Sequence, residues 1–340
     1  MAKFKVVHTS APPGAALPYE REGLAEFADC LVSYGNLNTP ELVIEHCRDA
    51  DAILTPGARF TRDVFATLEH CRTIVRYGVG YDTIDVPAAT DSNVVVVNIP
   101  DFCLPEVANH ALALLLDCAK KITRQDKWMR TGSWGDRSSG YRAPFLSPMG
   151  PIHGETVGLV GFGQIAREFH RRLVPLDVRV IAYDPYVPAE RAAPLGVEMV
   201  SLEALMRQSD YISVHTPLLP DTHHMINAEM IALMKPTAYL INTSRGPVVD
   251  EAALIAALQS GAIAGAALDV FEIEPLPKDS PLMAMENVVL VPHTASYADV
   301  TFDIMYRRVG EEAARALRGQ MPNTPVNPKV REHLTWLSSQ

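Results

Sequence analysis

Short apolar runs rich in β-branched residues recur along the chain, separated by stretches with helix-forming character. Phe4–Thr9, Asp51–Thr55, Thr73–Gly78 and Val94–Ile99 read as strands. Each has the length and composition of a strand buried on both faces of a parallel sheet. Pro40–Cys47 and Thr61–Cys71 read as the helices between them, and Pro12–Pro18 as a loop. From Pro105 a long apolar helix runs to about Ile122, with proline at a favourable first position. Gly132–Gly154, rich in Pro, Gly and Ser, reads as an irregular connector or arm. A second series of strands follows: Thr156–Val160, Val178–Tyr183, Val197–Val200, Tyr211–His215, Ala238–Thr243, Ala266–Val270 and Val288–Val291. Helices are expected at Ala166–Leu176, Glu203–Arg207, Ala228–Met234 and Glu251–Leu258, with a closing helix over Thr301–Leu317. This alternation predicts an α/β protein with two doubly wound parallel sheets. The first body, residues 1–103 and 300–340, is interrupted by the second, residues 104–299. The long helices are the expected crossings and a cleft between the bodies the expected active site.

Composition narrows the class. The 340 residues are 48% hydrophobic and 21% charged, ordinary for a soluble globular chain long enough for two cores. A net charge of −10 without a basic block argues against a nucleic-acid surface. No apolar run has membrane length and the first residues do not form a signal peptide, so a cytoplasmic protein is expected. The five cysteines are scattered without metal-ligand spacing and read as free thiols in a reducing compartment; no metal site is expected.

The most informative stretch is Val157–Gly163 with the helix after it. A strand ends in Gly161-Phe162-Gly163-Gln164-Ile165-Ala166, the G-x-G-x-x-A form of the dinucleotide fingerprint. Gly161 makes the tight turn, Gly163 lets a pyrophosphate approach the backbone, and Ala166 lets helix and strand pack closely. The helix N-terminus offers N–H groups to the phosphates. The next strand delivers Asp184, placed to accept hydrogen bonds from the ribose hydroxyls. No Arg follows it, which favours NAD over NADP.

Three later strand ends carry polar residues. Asn242-Thr243-Ser244-Arg245-Gly246 presents either a planar fork to a carboxylate or a plain surface Arg. Asp269-Val270-Phe271-Glu272-Ile273-Glu274 reads as a solvated loop or as part of a site. His293, after Val291-Pro292, is a candidate acid–base group or a core histidine. Taken together, Arg, Glu and His at successive strand ends beside a dinucleotide suit hydride transfer to a carbonyl: Arg binds the anion, His delivers the proton, and Glu keeps His cationic. Arg76-Tyr77-Gly78-Val79-Gly80-Tyr81-Asp82 sits at another strand end, as a ligand loop or a plain turn.

On these motifs the chain resembles the D-isomer-specific 2-hydroxyacid dehydrogenase superfamily over nearly its full length. D-T-x-H-x-I-N from Asp221, N-T-S-R-G-P-V-V-D-E-A-A-L from Asn242, A-L-D-V-F-E-I-E-P from Ala267 and V-P-H-T-A from Val291 carry the likeness. Y-G-V-G-Y-D-T-I-D, P-E-V-A-N-H-A-L and Y-D-P-Y resemble its C-terminal-binding-protein-like branch. The resemblance implies an NAD-dependent enzyme interconverting a 2-oxoacid and a D-2-hydroxyacid, and a homodimer. It implies Arg245 as the ligand of substrate carboxylate and carbonyl, His293 as proton donor and Glu274 as its partner. It further implies Val79 and Gly80 as backbone donors to the carboxylate. Gln164 and Ile165 cap the pyrophosphate in this reading; Thr216, Pro217 and Thr222 line the adenosine side, and Thr243 and Asp269 lie near the nicotinamide. Two positions depart from the family: Asn109 stands where many members have an acid, and Ser296 where the animal corepressors have Trp, so Ser296 is expected at the substrate pocket. Two rival readings are an NAD-sensing corepressor-like scaffold and a dehydrogenase of a non-carbon donor such as phosphite.

Overall fold

The structure, a computed structural model, describes residues 4–132, 134 and 149–338. Most of the expected arm, 133 and 135–148, lies outside the described residues. In chain order the first elements are β1 (Val6–His8), α1 (Pro18–Leu24), β2 (Leu31–Ser33), α2 (Pro40–Cys47), β3 (Ala52–Thr55), α3 (Arg62–Phe65), β4 (Thr73–Arg76), α4 (Val86–Asp91) and β5 (Val95–Val97). Then come α5 (Leu104–Lys120), α6 (Ile122–Arg130), β6 (Thr156–Val160), α7 (Gln164–Leu173), β7 (Arg179–Tyr183), α8 (Ala189–Ala192), β8 (Glu198–Met199), α9 (Leu202–Gln208) and β9 (Tyr211–Val214). The last are α10 (Ala228–Ala232), β10 (Tyr239–Asn242), α11 (Glu251–Ser260), β11 (Gly265–Leu268), β12 (Val288–Leu290) and α12 (Asp299–Leu317). The chain divides into two compact units, Met1–Cys103 with Ala298–Gln340, and Leu104–Tyr297.

The first unit holds a parallel sheet of order β2-β1-β3-β4-β5, the second a parallel sheet of order β12-β11-β10-β9-β6-β7-β8. Successive side chains of a strand feed opposite cores, as the pleat requires. Val157 and Leu159 of β6 enter one core and Val160 the other; in β3, Ile53 parts from Ala52 and Leu54 in the same way. All five residues of β6 are buried, which explains its unbroken apolar reading. Local signals set several helix starts. Thr39, Asp85, Ser201, Asn227 and Asp250 each accept an N–H of the first turn through the side chain.

Several readings change in the structure. Thr61–Cys71 contains only one helical turn, because the chain beyond Phe65 leaves to pair elsewhere: Glu69 N donates to Arg48 O (2.9 Å) and Arg72 N to Asp51 O (2.8 Å). The strand β2 and the helix α1 stand where no element was expected. α1 follows Leu17, which is in a left-handed conformation and provides no side-chain cap, so the local signal at its start is Pro18 at the first helical position, which also reads as the end of a loop. It is held by close packing on α12 through glycines. A methyl group on Gly23 would lie 2.0 Å from Arg307 O, and one on Gly310 2.3 Å from Glu20 O. All five cysteines are free thiols; Cys47, Cys71, Cys103 and Cys118 are buried.

His8, at the end of β1, is 5% exposed, and its Nδ1 accepts N–H bonds from Ser10 (3.1 Å) and Ala11 (3.0 Å). Burial pushes its imidazole down to about 4, so it folds neutral. An unfolded histidine titrates near ~6.5, so below that pH the unfolded chain gains a proton that the folded chain refuses until about 4. The His8 contribution to stability is therefore expected to fall as pH drops through this window and to level off below it, at a cost of about 3 kcal/mol. Melting temperatures across the window check this. His8→Asn, whose carbonyl can take the same two N–H groups, should reduce the dependence; the buried imidazole of His215, also pushed down to about 4, keeps part of it.

Candidate active site

The strands of the second sheet are in register at one edge. Tyr183, Val160, Val214, Asn242, Leu268 and Leu290 form one row across β7, β6, β9, β10, β11 and β12. Since every strand is parallel, the residues following this row emerge at the same sheet edge. They include Asp184, Gly161, Thr216, Thr243, Arg245, Asp269 and His293.

The strand order reverses between β6 and β9, where open α/β sheets leave a crevice for ligands. Gly161 turns there with φ +90°, and a side chain on it would meet Thr216 Oγ1 at 3.0 Å. Thr216 Oγ1 donates to Val160 O (2.9 Å). Gly163 is the N-cap of α7 and has nothing within 4 Å of where a Cβ would be. That open space, facing the uncapped first turn of α7, fits a pyrophosphate. Asp184 is braced by N–H bonds from Phe162 to Oδ2 and from Tyr186 to Oδ1, both 2.9 Å. Gln164 is exposed and Ile165 half-buried at the start of α7. Thr243 Oγ1 is a buried oxygen with no hydrogen-bond partner, available to a ligand group. The residues present therefore fit a dinucleotide.

The Arg245 turn is cross-braced by Asn242, which is 1% exposed. Its Nδ2 donates to Arg245 O (3.0 Å), and its Oδ1 accepts from Ser244 N (3.0 Å) and Ser244 Oγ (2.9 Å). Arg245 Nη1 donates to Ser244 O (2.8 Å). His293 Nδ1 donates to Glu274 Oε2 at 2.7 Å, and Phe271 N to Glu274 Oε1 at 3.0 Å. Burial works against the Glu274 carboxylate. The bonds from His293 and Phe271 and the charges of His293 and Arg245 outweigh it and hold its carboxyl below the ordinary range. An ionised Glu274 can only accept, so the proton on Nδ1 is fixed there and Nε2 is the nitrogen left to exchange a proton with a ligand.

Asp269 is fully buried and spends both oxygens on backbone, accepting from Thr294 N (2.7 Å) and Ala295 N (3.1 Å), while His293 N donates to Asp269 O (2.8 Å). It thus holds the histidine loop, in which His293 adopts φ +53°, a conformation uncommon for a residue with a Cβ. Thr222 Oγ1 donates to Pro217 O (2.6 Å) and accepts from Leu219 N (2.8 Å), closing the loop after β9. Val79 and Gly80 lie half-buried in the first unit, in the loop after β4, where Asn98 Nδ2 donates to Val79 O (2.7 Å). Ser296 is half-buried beyond the histidine loop, and α12 takes Ala298 as its N-cap without a side-chain bond.

Sequence reading missed three participants. Asn242 was visible only as a polar residue ending a buried strand. His110 of α5 places Nε2 3.6 Å from Asp269 Oδ1, a proximity without any local signal. His224 pairs with Glu272 at 2.6 Å across 48 residues. His224, Asp250 and Glu272 bring ligand-type atoms within 4.8 Å of one another. Glu272 Oε1 already accepts from His224 and Glu251 N, and Asp250 Oδ1 caps α11, so these oxygens serve the backbone. Asn109 Oδ1 accepts from Arg172 Nε (2.6 Å), giving that departure from the family a partner on α7.

Among the described residues, no helix is long and apolar enough to cross a membrane. Residues 112–295 match the family model of the D-isomer specific 2-hydroxyacid dehydrogenase NAD binding domain. A glyoxylate reductase of Korarchaeum cryptofilum is 40% identical over 291 residues, 85% of this chain and 86% of that protein. One from Thermofilum pendens is 39% identical over 97% of this chain and 96% of its own length. The NADPH-dependent glyoxylate/hydroxypyruvate reductase of Sinorhizobium meliloti, solved with NADP and malonate, superposes with a TM-score of 0.83 at 31% identity, covering 96% of this chain and 98% of that one. The chain belongs to the D-isomer-specific 2-hydroxyacid dehydrogenase superfamily and is an oxidoreductase that interconverts a 2-oxoacid and a D-2-hydroxyacid with a nicotinamide dinucleotide.

Proposed function

We propose that this enzyme works as a cytoplasmic reductase of a small 2-oxoacid such as glyoxylate, with NADH as the preferred cofactor. The observation that carries the reading is the His293–Glu274 pair beside Arg245 on adjacent, in-register strand ends. The nicotinamide, when bound, supplies the hydride. Arg245 holds the carboxylate and polarises the carbonyl of the substrate. His293 Nε2 gives its proton to the carbonyl oxygen, and Glu274 stabilises the imidazolium that donates it. Val79 and Gly80 are read as N–H donors to a carboxylate, and Ser296 as a small, polar pocket residue that suits a small substrate. The names of the two archaeal relatives support glyoxylate. A panel of glyoxylate, hydroxypyruvate, pyruvate and branched and aromatic 2-oxoacids, assayed with NADH and NADPH, tests the reading. Turnover absent across the panel overturns it.

Two further results are expected. Asp184 places a carboxylate where the 2′-phosphate of NADPH would lie in this reading, so NADH should be used more efficiently than NADPH. Asp184→Asn keeps an acceptor for the loop but removes the charge, and should narrow the preference by about tenfold, roughly 1.4 kcal/mol. Equal efficiency with both cofactors in the unmutated enzyme contradicts the assignment. Glu274, held below the ordinary carboxyl range, is charged throughout the working pH range. Glu274→Gln removes the charge that favours the protonated His293. Reduction should slow by about tenfold or more. An undiminished rate argues against the pairing.

The chain is also proposed to form a homodimer through its dinucleotide domain. Ile122, Met129 and Trp134, on and just after α6, are 58%, 44% and 67% exposed, apolar surface of the kind a partner covers. Sedimentation equilibrium decides between monomer and dimer.

A further inference from the structure

Arg245 and Glu274 lie on different segments, and something must hold the two in alignment. Direct contact between the segments is backbone to backbone: a Cβ on Gly246 would lie 1.9 Å from Phe271 C and O and 2.5 Å from Glu272 N. Such a contact admits no side chain, and the strands leading into it bond directly as far as Asp269 N on Asn242 O (3.0 Å). Further bonds to both segments come from a third, the turn at His224. His224 N donates to Pro247 O (2.8 Å), two residues after Arg245, and the neighbouring Ile226 N donates to Val248 O (3.1 Å). The imidazole of the same residue reaches the other way, Nε2 lying 2.6 Å from Glu272 Oε1, two residues before Glu274. Glu272 and Glu251 close the arrangement reciprocally: Glu251 N donates to Glu272 Oε1 and Glu272 N to Glu251 Oε2, both at 3.1 Å. His224 holds this bridge with φ +50°, in the left-handed region, where it is kept by its contacts at both ends.

We propose that His224 is a positioning residue for the reaction, its main-chain N–H fixing the Arg245 segment and its imidazole fixing, through Glu272, the loop that presents Glu274 to His293. The inference rests on the proposed roles of Arg245, Glu274 and His293. His224 touches neither substrate nor cofactor in this account; its effect is on alignment, to which hydride and proton transfer are sensitive at the ångström scale.

The test compares His224→Asn and His224→Gln. Asparagine tolerates the left-handed backbone and retains the N–H to Pro247, but it is too short to reach Glu272. The glutamine amide nitrogen can take the place of Nε2. With NADH and the most active 2-oxoacid of the panel, His224→Asn should lower kcat by about 10- to 100-fold while leaving NADH affinity, read by nucleotide fluorescence, within about twofold. His224→Gln should restore most of kcat. Glu272→Ala should lower kcat at least as far as His224→Asn, because it also frees Glu251 N, and the double variant should be no worse than Glu272→Ala alone, in which the link to His224 is already cut. The proposal is overturned if His224→Asn keeps its kcat, if Gln and Asn are equally impaired, or if NADH affinity falls in step with kcat. Arg245→Lys and Glu274→Gln run in the same assay separate the two failures. If they are impaired and His224→Asn is not, only the bridge is wrong; if they too are unimpaired, the site reading falls first.

Discussion

Arg245→Lys should lower kcat/KM for the 2-oxoacid by about 10- to 100-fold, the loss of one charge-assisted hydrogen bond worth roughly 1.5–3 kcal/mol. Lysine keeps the charge but not the planar fork, and in the proposed role one group holds carboxylate and carbonyl oxygens together. The turn itself should survive, because Asn242 braces it through the main chain of residues 244 and 245 and not through the guanidinium. NADH affinity should therefore change little. Steady-state kinetics with a fluorescence titration of NADH separate these quantities. Near-normal kcat/KM in the lysine variant places the carboxylate elsewhere.

Removal of the proposed proton donor should cost more. His293→Asn is the informative change, because asparagine accepts the left-handed backbone seen at this position and its amide nitrogen can occupy the place of Nδ1 beside Glu274. What is lost is Nε2, the nitrogen assigned to the substrate oxygen. General acid catalysis contributes about 10²- to 10⁴-fold, and kcat should fall by that factor while NADH still binds. A variant that retains its rate shows that the proton comes from another group.

Much of this architecture is written locally. Asp250 and Asn227 cap their helices by side chains that belong to the same short segment, so those starts are legible without the fold. β6, buried along its whole length, is apolar from Val157 to Val160. The fingerprint from Gly161 to Ala166 needs only its own strand and helix to be recognised. The catalytic candidates were legible as residue types out of place, a charge or imidazole directly after a run of apolar strand residues. α1 was not legible, because its position depends on Gly23 and Gly310 letting two helices approach through their backbones, a relation across nearly the whole chain. The helix expected over Thr61–Cys71 stops early for a similar reason: its later N–H groups find partners in residues 48 and 51.

The sequence by itself determined the two parallel-sheet bodies, the dinucleotide fingerprint and the choice of Arg245, Glu274 and His293 as candidates for the chemistry, since each follows from period, composition or a motif a few residues long. Only the tertiary structure decided what holds those residues. That Asp269 spends both oxygens on the histidine loop, that Asn242 braces the arginine turn, and that His224 reaches Glu272 across 48 residues are matters of strand register and loop approach. A carboxylate buried against two N–H groups and one facing water have the same letter in the chain. Which it becomes depends on which backbone the folded sheet brings within about 3 Å of it.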